Sequence, residues 1–387
     1  MTTAAVVIIG GGVMGASVAC HLARRGWKDI LVIDRAAGPG AGSTGRATGG
    51  FRAQYATDIN VRLSLLARDE LLRFEEETGV DPGFQQAGYL WLAADDAELE
   101  VLRAAREVQH AAGLTEAVEV TADEALRLNP ALAPDGIVGG AFCPTDGFIR
   151  PMSILEGYLA LAERLGARIE WDVEMKGFRR DPSGRITGVE TTRGTIAAGA
   201  VVNAAGAWAV RVADGAGVAL PVMALRRQVV PTVPTDVLPA SMPMTIFAGD
   251  GYHLRVRDGR VLLLWPTPGV KGQPYETAVE DRWIDAVIEK TRARVPALRA
   301  VEIDRAAAWG GLYEISPDRH AILGLARECP NLYLINGSSG HGVMHAPALG
   351  RLLAEIMTDG AATSLDATPL RASRFAEGCP NPVSGLL

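Results

Sequence analysis

The chain is short of several things that would point elsewhere. Its 387 residues include four cysteines, Cys20, Cys143, Cys329 and Cys379, far apart and with no C-x-x-C pair. That argues against a zinc or iron–sulfur site and suits a reducing cytoplasm, with isolated, buried or incidental thiols. There is no basic excess: 38 Lys and Arg stand against 45 Asp and Glu, for a net charge of −7. Without a basic or aromatic-basic stretch, nucleic acid is not an expected partner. Long apolar runs are missing too. The uncharged stretch of residues 195–210 contains Asn203 and falls short of the roughly 20 residues a bilayer span needs. The apolar N-terminus has no basic leader or cleavage site and reads as a first strand, not a signal peptide. No internal repeat or low-complexity segment is present.

What is present is 48% hydrophobic residues, enough for sizeable cores in one very large domain or two intertwined ones. The opening segment is the most informative. Val6-Val7-Ile8-Ile9 is a β-branched run that stops at Gly10-Gly11-Gly12-Val13-Met14-Gly15. A helix is expected over residues 14–25, ended by Gly26, and Ile30-Leu31-Val32-Ile33 then runs into Asp34. Strand, glycine turn, helix, strand, acid is the dinucleotide-binding fingerprint. Gly10 allows the tight turn, Gly12 lets backbone approach a pyrophosphate, and Gly15 lets helix pack on sheet. The helix N-terminus offers free N–H groups to phosphate. Asp34 can accept from a ribose diol and would repel the extra phosphate of NADP. The motif alone leaves FAD and a nicotinamide nucleotide both open.

Further along, residues 38–45 form a turn-rich loop, and a helix is expected over 58–78. A different texture runs from 83 to 145: a strand at 89–92, a helix at 95–112, a capping box at Thr121–Glu124 and a strand near 137–142. Residues 168–173 and 200–208 read as strands that return to the first sheet. From 221 to 309 the pattern is mostly β, with one helix near 280–294. The end is α/β again: strand 332–335, a second glycine turn at 336–342 and a helix carrying Leu349, Leu352, Leu353 and Ile356. The expected fold is therefore α/β (α+β overall): a Rossmann-like dinucleotide-binding domain of 1–82, 146–220 and 315–387, with a substrate domain of 83–145 and 221–314 threaded through it.

Four segments together resemble one family, the FAD-dependent amine oxidoreductases typified by D-amino acid oxidase, glycine oxidase and sarcosine oxidase. They are the first glycine turn, Gly42-Ser43-Thr44-Gly45-Arg46-Ala47-Thr48-Gly49-Gly50, Asn203-Ala204-Ala205-Gly206-Ala207-Trp208, and Gly337-Ser338-Ser339-Gly340-His341-Gly342. Within the family the chain looks most like the β subunits of sarcosine oxidase and of dye-linked proline dehydrogenase. The resemblance implies FAD, an antiparallel-sheet substrate domain facing the flavin, and oxidation of a carbon–nitrogen bond beside a carboxylate. A small secondary amine such as sarcosine or proline is the preferred substrate. A primary amino acid oxidase of the glycine or D-amino acid type, or a flavin-carrying subunit of a hetero-oligomeric dehydrogenase, are the alternatives. Oxygen versus another electron acceptor, and homo- versus hetero-oligomer, stay open.

The resemblance also assigns residues. Gly10, Gly12, Val13, Met14, Gly15, Asp34 and Arg35 are placed at the ADP half. The second loop, Ser43 to Gly50, is placed at pyrophosphate and flavin, with hydroxyls and N–H groups for oxyanions. Val173 is placed at adenine through its backbone, and Ala204, Ala205, Gly206 and Trp208 along the cofactor. Gly337, Gly340, His341, Gly342, Val343 and Met344 are placed at the flavin, where a helix N-terminus stabilises the charge of reduction. His341 and His345 have the spacing of a metal pair, but no third ligand accompanies them and no metal is expected. Arg52 is the expected carboxylate ligand, beside a matching Tyr55. Tyr252, His253 and Glu314 are the other candidates at the substrate, with Met244, Phe247 and Trp265 as apolar walls that keep the amine neutral.

Three departures qualify the match. The cysteine that carries FAD in monomeric sarcosine oxidases corresponds to Gly311, and the histidine of dimethylglycine-type enzymes to Arg46, so FAD is expected to be non-covalent. A lysine that shares the substrate carboxylate corresponds to Met344. The strand that holds the oxygen-activating lysine, residues 261–265, has none, and no spacing argument brings Lys271 to the flavin.

Overall fold

A computed structural model describes residues 2–266, 275–383 and 386. Two large sheets carry the molecule. In the first, the strands Leu332–Asn336, Gly194–Asn203, Thr2–Ile9, Ile30–Ile33 and Arg168–Glu170 lie side by side and parallel. Ile322–Leu325 closes one edge antiparallel, and the hairpin Met175–Arg180 with Ile186–Thr191 pairs onto the long strand Gly194–Asn203. Alternation sends Val6, Ile8, Ile30 and Val32 to one face and Val7, Ile9, Leu31 and Ile33 to the other. Both faces are covered, as a parallel sheet requires, so the runs Val6–Ile9, Ile30–Ile33 and Leu332–Ile335 are continuously apolar. The helices Val13–Arg24, Asp58–Thr78, Pro151–Arg164 and Gly342–Asp359 cover the first face. Ala209–Gly215 and the hairpin cover the second.

The expected elements are there, with shifted ends. The helix Asp58–Thr78 has its expected span and stops at Gly79, in the left-handed region at φ 80°. The capping box at Thr121 is formed in both directions. The strand expected over 168–173 ends at Glu170, because Asp172 turns the chain at φ 56°. That expected over 200–208 starts earlier, at Gly194, and gives way to a 3₁₀ turn at Gly206–Trp208.

The second sheet runs Trp309–Ile315, Met223–Pro231, Arg260–Leu264, His253–Arg257, Met244–Phe247, Tyr89–Ala93, Gly139–Cys143 and Val118–Thr121. It is antiparallel except at its centre, where Met244–Phe247 pairs parallel with Tyr89–Ala93. That one pair departs from the expected all-antiparallel sheet. The two strands come from the separate β-rich segments, so no hairpin joins them to impose antiparallel order. Helix Asp281–Arg294 covers one face through Trp283, Ile284 and Val287. The other face looks toward the first sheet. A small ribbon, Gly50–Phe51 with Gly147–Phe148, lies beside it. Among the described residues no helix is long and apolar enough to cross a membrane.

Candidate cofactor and substrate site

One cavity of about 1420 Å³ runs from the C-terminal ends of the parallel strands to the inner face of the second sheet. That exceeds the roughly 300–1,000 Å³ typical of small-molecule pockets, so there is room for a dinucleotide and a small substrate together.

The nucleotide end is built by close approach. Gly10 sits at φ 115°, and a Cβ there would lie 2.3 Å from the Ala204 carbonyl oxygen. A Cβ on Gly15 would lie 1.9 Å from the Gly10 oxygen. Gly15 therefore packs the helix onto the turn and does not line the cavity, and Gly45, whose Cβ would meet the Gly40 oxygen at 2.1 Å, is alike. Asp34 lines the cavity and braces the turn, accepting from the Gly11 N–H at 2.7 Å and the Ala36 N–H at 2.8 Å. Each carboxylate oxygen has a second lone pair, so a diol can still be bound. Arg35 is exposed and lies over the Trp208 ring at 4.3 Å. Val173 lines the cavity, but its N–H already donates to the Asp34 carbonyl at 2.9 Å, so its backbone does not offer adenine that donor.

The two hydroxyls of the second loop differ. Ser43 donates to the Leu312 carbonyl at 2.7 Å, which commits its proton away from any phosphate. Thr44 Oγ1 instead accepts from the Val13 N–H at 3.2 Å, which leaves its O–H to donate to an oxyanion. Arg46 donates to the Gly310 carbonyl at 2.8 Å. The carbonyls of Ala47, Thr48 and Gly49 are all taken by two arginines of the second sheet, Arg257 and Arg255. These clasps hold the loop against the substrate wall, and sequence reading missed them. The signal was there in alternation: His253, Arg255 and Arg257 share one face of a strand.

At the other end, helix Gly342–Asp359 opens on the cavity with His341 as N-cap and no side-chain cap. Gly342, Val343 and Met344 line the wall there, and their N–H groups are those an α-helix leaves unpaired. Gly340, at φ 95°, lets the Tyr313 ring pack on the turn, since a Cβ would come within 2.4 Å of it. Gly337 lies behind the wall against Ser316. His345 bonds Ser64 at 2.8 Å, burial pushes its pKa down to about 3, and no metal-ligand cluster exists among the described residues.

Arg52 follows the small ribbon and is 6% exposed. Its guanidinium lies 4.2 Å over the Tyr55 ring, donates to the Gln54 carbonyl at 3.1 Å and sits 3.4 Å from His341 Nε2. Among the described residues no carboxylate pairs with it within 4.0 Å. Tyr55 lies beneath it, off the cavity, donating to the Met344 sulfur at 3.2 Å. Asp146 fixes the segment by accepting from the Ala53 and Gln54 N–H groups, at 2.7 and 3.3 Å.

Strand alternation separates two neighbours that the sequence paired. His253 lines the cavity, while Tyr252 points the other way and bonds Thr291 at 2.7 Å inside the sheet–helix core. The same parity puts Met244 and Ile246 on the cavity wall and turns Phe247 toward Tyr252. Trp265 does line the wall. His253 Nδ1 lies 2.7 Å from the Gly251 carbonyl, which assigns the proton to Nδ1 and leaves Nε2 an acceptor. Burial pushes its pKa down to about 4, with Arg52 and Arg227 adding to the effect, so the ring is neutral. Glu314 lines the cavity with Oε2 buried and unpartnered, and burial raises its pKa to about 7. Arg227, which sequence reading also missed, enters from strand Met223–Pro231 opposite Gly311. Lys271 lies outside the described residues.

The polar orphans test the cofactor. Trp91 Nε1, Ser338 Oγ and Glu314 Oε2 are buried, unpartnered and on residues that line this cavity. With two open helix ends and a glycine cradle between them, the site fits a long polar ligand such as FAD. A family model for FAD dependent oxidoreductases (DAO) matches residues 5–356. The chain belongs to this family. It is 29% identical over 380 residues to the glycine oxidase of Geobacillus kaustophilus (strain HTA426), covering 95% of this chain and 96% of that protein. It is 27% identical over 380 residues to 4-methylaminobutanoate oxidase (formaldehyde-forming) of Paenarthrobacter nicotinovorans, covering 96% of this chain but only 45% of that longer protein. The crystal structure of L-proline dehydrogenase from P. horikoshii superposes with a TM-score of 0.90 at 30% identity, over 98% of this chain and all of that one. The chain is thus an FAD-dependent oxidoreductase of mixed α/β fold, and its relatives act on carbon–nitrogen bonds of small amino acids.

Proposed function

We propose that this chain oxidises a small carboxylated secondary amine, of the sarcosine or proline kind, to an imine that water hydrolyses. Bound FAD supplies the two-electron oxidant, accepting hydride from the carbon beside nitrogen. The observation that carries the substrate reading is Arg52: a fixed, buried guanidinium on the cavity wall with no carboxylate partner among the described residues. It can grip a carboxylate through two parallel N–H bonds and so orient the amine. Met244, Ile246, Leu264 and Trp265 give that end an apolar wall, which disfavours the ammonium form. His253 Nε2 and the Glu314 carboxylate are the acceptors for the amine proton. The open helix end at Gly342 favours negative charge at the opposite wall. Gly10, Gly12, Met14, Asp34, Thr44 and Val173 hold the nucleotide half in this reading. The domains divide at 1–82, 146–220 and 315–387 for FAD and at 83–145 and 221–314 for substrate.

We propose that FAD is held without a covalent link, because Gly311 and Arg46 stand at the two positions that match the family's cysteine and histidine tethers. Acid precipitation should leave a colourless pellet; a yellow one contradicts this. The test of the reaction is an anaerobic screen of N-methyl and cyclic amino acids, read by loss of visible flavin absorbance. Arg52→Met should raise the half-saturating amine concentration about 100-fold, the ~3 kcal/mol of a charge-assisted pair. An unchanged value would remove Arg52 from the substrate site.

A further inference from the structure

A guanidinium buried without a carboxylate partner needs other contacts to hold it, and Arg52 finds them on two aromatic rings. Its Cζ lies 4.2 Å from the centre of the Tyr55 ring and 5.1 Å from that of Trp91. Tyr55 belongs to the same segment as Arg52 and lies off the cavity. Trp91 comes from the second sheet, is 5% exposed and lines the cavity. Arg52 is thus held jointly by its own segment and by the substrate wall.

Both members of the Arg52–Trp91 pair stand on fixed backbone. Trp91 is the middle residue of strand Tyr89–Ala93, opposite Ile246 on one neighbour and Ala141 on the other. Leu90 and Leu92 point into the core under helix Asp281–Arg294, so alternation leaves Trp91 on the inner face. On the other chain segment, Asp146 fixes the backbone just after Arg52 through the Ala53 and Gln54 N–H groups. The ribbon before Arg52 is pressed onto the strand of Trp91: a Cβ on Gly50 would lie 1.9 Å from the Tyr89 hydroxyl oxygen. Gly50 and Tyr89 therefore meet two residues ahead of the place where Arg52 and Trp91 meet. The sheet places the indole, since Trp91 Nε1 has no protein partner among the described residues. A ring fixed in this way restricts the rotamers of a long side chain. A guanidinium already held loses less freedom when it grips a carboxylate.

Resting on the reading of Arg52 as the carboxylate ligand, we infer that Trp91 is a positioning residue: its ring holds the Arg52 guanidinium in the orientation that takes the substrate carboxylate. Trp91 acts through Arg52 and takes no part in hydride transfer.

The test uses the holoenzyme and propionate, a carboxylate with no amine to protonate or oxidise, titrated by its effect on the visible flavin spectrum. Trp91→Leu should weaken propionate binding about tenfold. Trp91→Phe keeps a ring and should stay within about threefold of wild type. In an Arg52→Met background Trp91→Leu should weaken binding no further, which a general packing role would not produce. Flavin content and melting temperature establish that each variant is folded. Equal losses in the leucine and phenylalanine variants, no loss in either, or a loss that persists undiminished in Arg52→Met overturns the inference. If the leucine variant holds no flavin, the phenylalanine variant decides, and a loss beyond about threefold overturns it. If neither holds flavin, Trp91 is a packing residue and the inference fails. Propionate that does not bind wild type, or binds Arg52→Met as tightly, removes the carboxylate site and the inference with it. Anaerobic sarcosine and proline separate this from the reaction. The expected propionate pattern in a protein that neither amine bleaches keeps Trp91 in its role and overturns amine oxidation; bleaching without the Trp91 pattern does the reverse.

Discussion

At the scale of single residues, the site depends on places where nothing larger fits and on groups whose protons are misplaced by burial. Gly10 is the first kind. Its φ of 115°, and the Ala204 carbonyl oxygen only 2.3 Å from where a methyl would stand, leave no conformation for alanine. Gly10→Ala should displace the turn and weaken FAD binding by more than about tenfold, measured as flavin retained after dialysis. Full retention would mean the turn does not touch the cofactor. Glu314 is the second kind. Its carboxyl is raised from 4.5 to about 7, mainly by burial, so the fold favours the protonated form. That contribution to stability is complete below pH 4.5 and is lost as pH rises through about 7. Glu314→Gln cannot ionise. Across that window the wild type should lose up to about 3 kcal/mol relative to the variant, read from urea midpoints. Asp146, shifted in the same direction by burial, stays in both proteins and cancels from the comparison. A pH-independent difference would place Glu314 in a solvated position.

At the scale of elements, two helices aim their open ends at the cavity and are locked to each other. Val13–Arg24 meets Gly342–Asp359 where Ser17 donates to the Ala346 carbonyl at 2.8 Å and Gly350 leaves space for the Ser17 side chain. A Cβ on Gly350 would lie 2.1 Å from Ser17 Oγ. Gly350→Val should force the helices apart, cost about 1–3 kcal/mol, lower Tm by several degrees and weaken FAD binding, because both N-termini move. A stable variant with full flavin would show that the crossing does not set the cofactor site. These helices are also where the sequence is most readable. Leu63, Leu71 and Phe74 recur at helical spacing and are buried, and Gly79 ends their helix. The glycine turns are readable because each has one mechanical task. Strand facing was not. Tyr252 and His253 differ by one residue, and in a strand buried on both faces nothing in the neighbouring types says which of the two faces the cavity. Arg227 escaped for a related reason: an arginine in a strand looks the same whether it faces solvent or a ligand until the second sheet is in place.

At the scale of the whole molecule, the two sheets are joined through the loop at residues 43–50. Arg255 and Arg257 reach from the second sheet to the carbonyls of Ala47, Thr48 and Gly49, so the walls of the cavity are held in register by the loop we propose for the phosphates. The cavity also has a chemical asymmetry. Among the described residues the one lysine on its wall is Lys176, beside Glu174 at the nucleotide end. We propose that oxygen is a poor acceptor, since among the described residues no lysine at the substrate end stabilises superoxide as it forms. Reduced enzyme mixed with air-saturated buffer should reoxidise slowly, and rapid reoxidation in stopped flow would contradict this. The central claim is that this one chain holds FAD and oxidises a carboxylated amine oriented by Arg52. Its most direct test mixes the purified holoprotein, anaerobically and without partners, with N-methyl amino acids and with the same amines lacking the carboxylate. The visible flavin absorbance should fall with the carboxylated amines and persist with the others; a flavin that stays yellow with every amine, or bleaches equally with both sets, would contradict it.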